Sequence, residues 1–244
     1  MIWLQEVDST NNHLKQLVEN GAAAGTAVAA GYQTGGRGRL GRSFHSPRGT
    51  GMYLSYLFRP EKPVEDCMHL TCACAVAVAE AVEEVSGIAP GIKWPNDLCH
   101  DGKKLGGILT EVCADNGDLL WAVVGIGINC NDPEGGFPEE ISAIAQSLQA
   151  LCGREISPRC LAEKVVARLD TLAADLASHR WMEAYRKRCV TTGKEVQVIF
   201  PEEVRQAFAQ EVDDAGGLVV SYPDGSKSTV TSGEVSVRGI YGYL

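Results

Sequence analysis

The sequence predicts an α+β fold, in which helices cover one face of a mixed sheet and a small β-barrel follows. Before Thr191-Thr192-Gly193 the strand-like segments are grouped in hairpins between long helical segments, as in folds with helices on one side of a sheet. After it, five short alternating segments follow within about fifty residues, a pattern typical of a small barrel. We therefore place a boundary near residue 191, between domains 1–191 and 192–244.

The first part of the chain alternates strands and helices. Ile2 to Val7 is a predicted strand, and the capping residues Asp8-Ser9-Thr10-Asn11 precede a helix from Asn12 to Glu19. Cys67 to Ser86 is apolar on all sides, as expected of a helix buried against a sheet. Asp115-Asn116-Gly117-Asp118 is a hairpin turn between the last two predicted strands. The remaining strands are Thr26 to Gln33, Met52 to Phe58, Ile88 to Trp94, Leu105 to Cys113 and Leu119 to Asn129.

A long helix is predicted before the boundary near residue 191, and short strands follow it. Ser157-Pro158 starts a helix that runs close to Arg188 with one break, since Ser is favoured at the N-cap and Pro at the first helical position. Turns at Asp214-Ala215-Gly216-Gly217 and Pro223-Asp224-Gly225 separate strands of the barrel. These strands are predicted at Glu195 to Phe200, Gln206 to Asp213, Leu218 to Tyr222, Ser228 to Thr231 and Glu234 to Ile240.

The composition excludes several classes of protein. Lys and Arg number 22 against 31 Asp and Glu, a net charge of −9, which argues against a nucleic-acid partner. We find no secretory signal pattern and no run of the ~20 apolar residues that a membrane helix needs, so we expect a cytoplasmic protein with no membrane partner. The nine cysteines contain no Cys-x-x-Cys pair, so we expect reduced, mostly buried thiols and no metal ligands.

The most informative segment is Gln33-Thr34-Gly35-Gly36-Arg37-Gly38-Arg39-Leu40-Gly41-Arg42. Its glycines let backbone N–H groups approach a ligand, and its arginines supply charged donor forks that suit phosphate and carboxylate oxygens. The segment therefore predicts an anion-binding loop, with phosphate as the expected ligand.

Two other interpretations of this segment have to be weighed. Gly36-x-Gly38-x-x-Gly41 matches the dinucleotide-binding fingerprint. That fold requires a helix after the glycines, whereas Arg42 to Gly51 has no helical periodicity and contains Pro47. The second alternative is a solvated surface loop, because basic runs are often simply exposed.

A second cluster lies in the middle of the chain. Lys93-Trp94-Pro95-Asn96-Asp97-Leu98 is followed by Lys103-Lys104-Leu105-Gly106-Gly107-Ile108-Leu109-Thr110-Glu111, where a lysine beside glycines can place a charge at a ligand oxygen. Taken alone, however, Trp94 and Pro95 are equally well explained as packing and turn residues, and Lys103-Lys104 as a solvent-exposed bend. Gly125-Ile126-Gly127-Ile128-Asn129 is either a strand that a ligand approaches closely or a β-bulge.

Five motifs occur in order: Asp8-Ser9-Thr10-Asn11, Gly36-Arg37-Gly38-Arg39, Lys93-Trp94-Pro95-Asn96-Asp97, Lys104-Leu105-Gly106-Gly107-Ile108 and Gly127-Ile128-Asn129. Together they resemble biotin protein ligases, also called biotin–[acetyl-CoA-carboxylase] ligases. The resemblance spans nearly the whole chain, because Ser232-Gly233-Glu234-Val235-Ser236-Val237-Arg238 is similar to the closing strand of that family's C-terminal domain. It implies a catalytic domain like those of class II synthetases, followed by an SH3-like barrel.

The resemblance also implies an activity. Biotin and Mg²⁺-ATP form biotinyl-5′-AMP and pyrophosphate, and a lysine of a biotin carboxyl carrier protein then attacks the mixed anhydride. The Asp8-Ser9-Thr10-Asn11 motif starts almost at the first residue, so we expect a monofunctional ligase without a DNA-binding domain. Whether it forms a homodimer stays open. Lipoate–protein ligases are the nearest enzymatic alternative, and a module that binds biotin or nucleotide without transfer is another.

The resemblance assigns roles to individual residues. Ser9, Thr10, Asn11 and Gln33 belong to the biotin site, and Gly36, Arg37, Gly38 and Arg39 to the loop that folds over the adenylate. Lys104, with Gly107 in the same motif, bridges the biotin carboxylate and the α-phosphate, and Asp97 lies near the acceptor lysine as its base. Phe44 stacks on adenine, Asn129 lies at the nucleotide, and Arg238 reaches the ATP phosphates. Two departures concern nucleotide affinity: Phe44 and Leu40 replace a tryptophan and an arginine that are familiar in the family.

Overall fold

The computed structural model describes residues 1–59, 67–116, 118–200, 202–231 and 236–239. Its larger sheet consists of β1 (Ile2–Leu4), β2 (Ala27–Ala30), β3 (Gly51–Phe58), β4 (Gly91–Lys93), β5 (Asp97–His100), β6 (Lys103–Asp115) and β7 (Asp118–Asn129). The strand order is β1-β2-β3-β7-β6-β5-β4, with β1 parallel to β2 and each other neighbouring pair antiparallel. The predicted α+β class with a mixed sheet is confirmed.

One face of this sheet carries the main core. The helices are α1 (Thr10–Glu19), α2 (Cys67–Ser86), α3 (Glu139–Ser142), α4 (Leu148–Cys152), α5 (Pro158–Asp175) and α6 (Trp181–Arg188). Buried residues of α2 and α5, such as Val78 and Val165, pack with Leu54 and Val124 of the central strands. Burying a side chain of this kind contributes about 1.5–3 kcal/mol, so this layer supplies most of the apolar stabilisation.

The opposite face is covered by α1, which the prediction of helices on one face did not include. Leu14 and Val18, four residues apart on α1, pack against Val28, Leu57 and Val123 in a second, smaller cluster. Successive residues of a strand point to opposite faces, so Leu57 faces α1 whereas its neighbour Phe58 belongs to the main core. Because α1 is short, it leaves part of this face for polar side chains.

A second sheet follows α6. It contains β8 (Lys194–Ile199), β9 (Val204–Val212), β10 (Leu218–Ser221), β11 (Lys227–Val230) and β12 (Ser236–Gly239), in the antiparallel order β11-β10-β9-β8-β12. This sheet is joined to the preceding part of the chain by hydrogen bonds, among other contacts. Trp94 Nε1 donates to Gly216 O at 2.9 Å and Arg186 Nε donates to Val212 O at 2.8 Å. Of the predicted strand from Glu234 to Ile240, residues 234, 235 and 240 lie outside the described residues.

The boundaries of several elements differ from the predictions. Only Gly91–Lys93 of the predicted strand Ile88 to Trp94 is a strand, and the chain then returns as β5, which the sequence did not predict. With four residues, β5 is too short to show periodicity. The break in the long C-terminal helix is confirmed: His179, between α5 and α6, has φ 55°.

The remaining predictions concern thiols and membranes. The eight cysteines whose side chains are described are all free thiols. Burial raises the pKa of Cys72 and of Cys130 to about 12, so these thiols stay protonated at neutral pH and are poor nucleophiles. Within the described residues, no helix combines the length and the apolar character needed to cross a membrane.

Candidate active site

A cavity of about 140 Å³ lies on the α1 face of the larger sheet. Its walls are the start of α1, the loop after β2, the turn between β4 and β5, and strands β6 and β7. It brings together most of the predicted site residues, although they are distant in sequence. These are Ser9, Thr10, Asn11, Gln33, Arg37, Gly38, Arg39, Phe44, Asp97, Lys104 and Gly107.

Glycines form the floor of this cavity. A Cβ at Gly125 would lie 2.3 Å from Asn11 Oδ1, and one at Gly127 would lie 2.5 Å from the ring of Phe44. Both glycines pair in regular register with β3 and β6. The sequence left open a bulge or a close approach at these positions. The structure shows a close approach, in which side chains from α1 and the loop lie directly on the backbone of β7.

We expect Gly125→Val to lower the melting temperature, because the added side chain would collide with the buried Asn11. Overpacking typically costs about 1–3 kcal/mol, which corresponds to roughly 2–10 °C in a chain of this size. Calorimetry measures the shift. Asn11→Ala removes the obstructing atoms, so adding Asn11→Ala to Gly125→Val should destabilise less than the sum of the two single changes. Full additivity would mean that these two side chains do not collide.

A buried polar cluster lines the α1 side of the cavity. Gln33 Oε1 accepts from the backbone N–H of Thr10 at 2.9 Å and from its hydroxyl at 3.1 Å, and Gln33 Nε2 donates to Ser46 Oγ at 3.1 Å. Ser55, fully buried in β3, lies 2.8 Å from Thr10 Oγ1 and donates to Asn11 Oδ1. Each side chain is oriented by a neighbour, so the cluster presents fixed donors and acceptors to a ligand.

An ion-pair network lies beside this cluster. Glu111 on β6 accepts from Asn11 Nδ2 at 2.8 Å and from Lys15 Nζ at 3.0 Å, and its Oε1 lies 3.2 Å from Arg37 Nη1. Burial raises the pKa of the Glu111 carboxyl, but the bonds from Asn11 and Lys15 outweigh it, so that the pKa lies below its usual value. Glu111 is therefore ionised at neutral pH.

The opposite wall of the cavity carries a second set of charges. Lys104 Nζ lies 2.7 Å from Asp97 Oδ1. Arg39 Nη1 donates to Asn96 Oδ1 at 3.0 Å, and Asn96 in turn donates to Ile108 O at 2.8 Å. Burial lowers the pKa of Arg39, which stays charged because the ordinary value is so high. Two cations thus face the cavity from different elements.

An open groove of about 990 Å³ adjoins this cavity and shares Gln33, Phe44 and Lys104 with it. Gly36 and Asn129, predicted for the site but absent from the lining of the smaller cavity, line this groove. Asn129 Nδ2 donates to Gln146 O at 3.2 Å, which ties β7 to the segment before α4. The side chain of Arg238 lies outside the described residues, whereas its neighbour Val237 lines the smaller cavity.

Three site residues were not recognised from the sequence. Asn96 and Glu111 stand inside the quoted motifs without an assigned role. Ser55 is a lone hydroxyl residue in a predicted apolar strand. A buried polar group needs a hydrogen-bond partner, so this position could have indicated a polar cluster beside the strand. Among the described residues, no group of three or more His, Cys, Asp or Glu side chains is placed to hold a metal ion.

Two family models match the chain. The biotin/lipoate A/B protein ligase family matches residues 3–129, and the biotin protein ligase C-terminal domain matches residues 191–238. The bifunctional ligase/repressor BirA of Bacillus subtilis is 37% identical over 73% of this chain, a match that covers 55% of that relative's length. The biotin–[acetyl-CoA-carboxylase] ligase of Mycobacterium tuberculosis is 30% identical over 94% of this chain and 86% of its own.

The fold also matches solved structures. The biotin protein ligase of Aquifex aeolicus in complex with biotin and ATP superposes with a TM-score of 0.83 at 34% sequence identity, covering 98% of each chain. This similarity extends over both sheets, so the order of domains is shared as well as the larger sheet.

Proposed function

This chain belongs to the biotin/lipoate A/B protein ligase family, and we propose that it activates biotin with ATP and transfers the biotinyl group to a lysine of a biotin carboxyl carrier protein. In the first step a carboxylate oxygen of biotin attacks the α-phosphorus of ATP, and pyrophosphate leaves. In the second step the lysine amine of the carrier attacks the acyl carbon, and AMP leaves.

The observation that carries this proposal is a single cavity with a polar half and a cationic half. The polar cluster around Thr10 and Gln33 lines one side, and Lys104 and Arg39 line the other. Such a cavity suits an elongated ligand with a neutral polar ring at one end and an anionic group at the other. Biotin, with a ureido ring and a carboxylate, has this distribution of polarity.

The polar half would hold the ureido ring. A buried ring with N–H donors and a carbonyl acceptor binds only where each of these groups finds a partner. Ser9, Thr10 and Asn11 are all nearly fully buried at the start of α1, and Gln33 is bonded to Thr10. Because their neighbours already orient these side chains, little conformational freedom would be lost on binding.

The cationic half would hold the reacting anions. The biotin carboxylate and the α-phosphate repel each other as they approach, and a fixed cation between them lowers the energy of the transition state. Lys104 lines both the smaller cavity and the open groove, which is the position that such a cation needs. Arg39, held by Asn96, would neutralise the phosphate of the adenylate and keep water away from the anhydride.

The nucleotide would occupy the open groove next to Lys104. Phe44 offers an aromatic face there, and Gly36 and Asn129 line the same groove. ATP would arrive with Mg²⁺, which keeps several waters and is bound by one or two carboxylates and the phosphates. Asp97 is the carboxylate among the described residues that line the smaller cavity, so most of the ligands of the ion would come from ATP and water.

The transfer step needs a neutral amine, whereas a lysine is protonated at neutral pH. Asp97 lies in the cavity within 2.7 Å of Lys104, so its carboxylate would accept the proton of the incoming amine once Lys104 turns to the adenylate. The eight described cysteines are free thiols, which supports the proposal that the protein acts in the cytoplasm.

The test is to incubate the protein with biotin, ATP, Mg²⁺ and a biotin carboxyl carrier domain, and to detect biotin on the carrier with streptavidin. We expect labelling that requires ATP, and a carrier whose acceptor lysine is replaced by Arg should stay unlabelled. Lipoate in place of biotin should give no modified carrier by mass spectrometry. Modification with lipoate alone would assign the chain to the other branch of its family. Biotin and nucleotide binding without transfer would make it a binding module.

A further inference from the structure

We propose that Glu111 is a positioning residue, whose carboxylate fastens the glycine–arginine loop, residues 36–44, to α1 and thereby retains the adenylate. This inference rests on the proposed function for its effect on the adenylate. Its structural part, the fastening of the loop by Glu111, stands independently of that function.

The geometry brings three side chains from two elements to one carboxylate. Asn11 and Lys15 donate to it from α1, and Arg37 reaches it from the loop at 3.2 Å. The Glu111 side chain is 20% exposed, so water screens these charges less than at an open surface. Unlike Lys104 and Asp97, Glu111 is not among the described residues that line the cavity, so it would act through its partners.

The two arginines Arg37 and Arg39 of the loop bond to different elements of the fold. The guanidinium of Arg39 bonds to Asn96, in the turn between β4 and β5. The guanidinium of Arg37 bonds to Asn12 Oδ1 at 3.0 Å and pairs with Glu111. The loop is thus fastened at one end to the turn that precedes Asp97, and at the other to α1 and β6. Arg37 is therefore the tether of the loop to α1 and β6, whereas Arg39 is the arginine that would bind the phosphate under the proposed function.

The loop holds few bonds of its own that could replace this tether. Gly38 N donates to Arg42 O at 2.7 Å and Phe44 N donates to Gly36 O at 2.9 Å, both within the loop. Thr34 N donates to Val7 O at 3.0 Å and Gly35 N to Asp8 O at 2.8 Å, which attaches only the segment before residue 36. Loss of the Glu111 charge should therefore let residues 36–44 detach and lose these internal bonds more often. Opening would expose a bound adenylate to solvent.

Glu111→Gln is the appropriate variant, because the amide keeps an oxygen that can accept from Asn11 and loses the charge that attracts Arg37. The first measurement is hydrogen exchange in the free protein. We expect the amides of Gly38 and Phe44 to exchange about three- to fivefold faster, the factor expected for losing a partly exposed ion pair. Glu183→Gln, which also removes one negative charge from an exposed ion pair on α6, is the matched control and should leave these rates unchanged.

The second measurement is the release of biotinyl-AMP in a double-mutant cycle with Arg37→Met. Each single variant should release the adenylate about three- to fivefold faster than the wild type. Because both changes break the same tether, the double variant should be no worse than either single one.

Two results would overturn the inference: exchange and release rates that match the wild type in Glu111→Gln, or a double variant whose effect is the product of the two single effects. The second result would mean that Arg37 acts on the adenylate independently of Glu111. If the wild-type protein forms no adenylate at all, the proposed function fails, while the exchange measurement still decides whether Glu111 holds the loop.

Discussion

Lys104→Ala should slow the formation of biotinyl-AMP by about 10²–10³, the loss seen when one donor to a transition-state charge is removed. The reason is that Lys104 would be the cation between the biotin carboxylate and the α-phosphate. Biotin affinity should fall much less, since the polar cluster around Thr10 and Gln33 is left intact. Pyrophosphate release in single-turnover experiments measures the chemical step, and calorimetric titration with biotin measures the affinity.

The neighbouring Lys103 provides the control. It is exposed on the same strand, so Lys103→Ala makes the same change in charge and size outside the cavity and should leave both quantities near their wild-type values. Adenylate formation at the wild-type rate in Lys104→Ala would show that the cation at this position is not used in the chemical step.

Arg39→Ala should instead release the adenylate about ten- to a hundredfold faster, since a hydrogen bond to a charged group contributes about 1.5–3 kcal/mol. Formation of the adenylate should be affected less, because Lys104 and Asp97 stay in place. The released adenylate should label lysines of bystander proteins, so streptavidin blots with an added unrelated protein give a second readout. Arg159→Ala, at an exposed arginine on α5, is the control and should not label bystanders.

The two variants together separate holding from forming the adenylate. If Arg39→Ala retains the adenylate as tightly as the wild type, then closure of the site does not depend on this guanidinium. The bond to Asn96 would in that case serve only to order the loop.

Much of the fold and of the site could be predicted from the sequence, because several of its determinants are local. Ser157-Pro158 begins α5, with Ser157 accepting from the N–H of Cys160, and capping chemistry of this kind depends on adjacent residues. The motifs that contain Thr10, Arg39 and Lys104 could be placed in one site only through their combination. No single motif carries the information that strands β2, β6 and β7 bring these residues to one face.

The parts that could not be predicted depend on contacts between distant residues. Glu111 contacts Asn11 and Arg37, which lie 100 and 74 positions earlier in the chain. From the sequence alone, a glutamate at this place in β6 is expected simply to face the solvent. The location of α1 on its own face of the sheet depends in the same way on the pairing of β2, β3 and β7. The roles assigned to the site residues, Phe44, Asn129 and Arg238 among them, stay predictions.

The bond from the indole of Trp94 to the carbonyl of Gly216 has a consequence for how this protein can be divided. The larger sheet and the smaller one are matched by separate family models, which invites their expression as independent fragments. A fragment without the second sheet would lose this hydrogen bond and expose the side of the Trp94 indole that faces Gly216, two residues before Asn96, whereas this side chain is 2% exposed in the whole chain. Tyr185 holds the same turn through its bond to Pro95 O. We therefore expect the larger sheet, and the turn from Trp94 to Asp97 with it, to be less stable in such a fragment than in the whole chain.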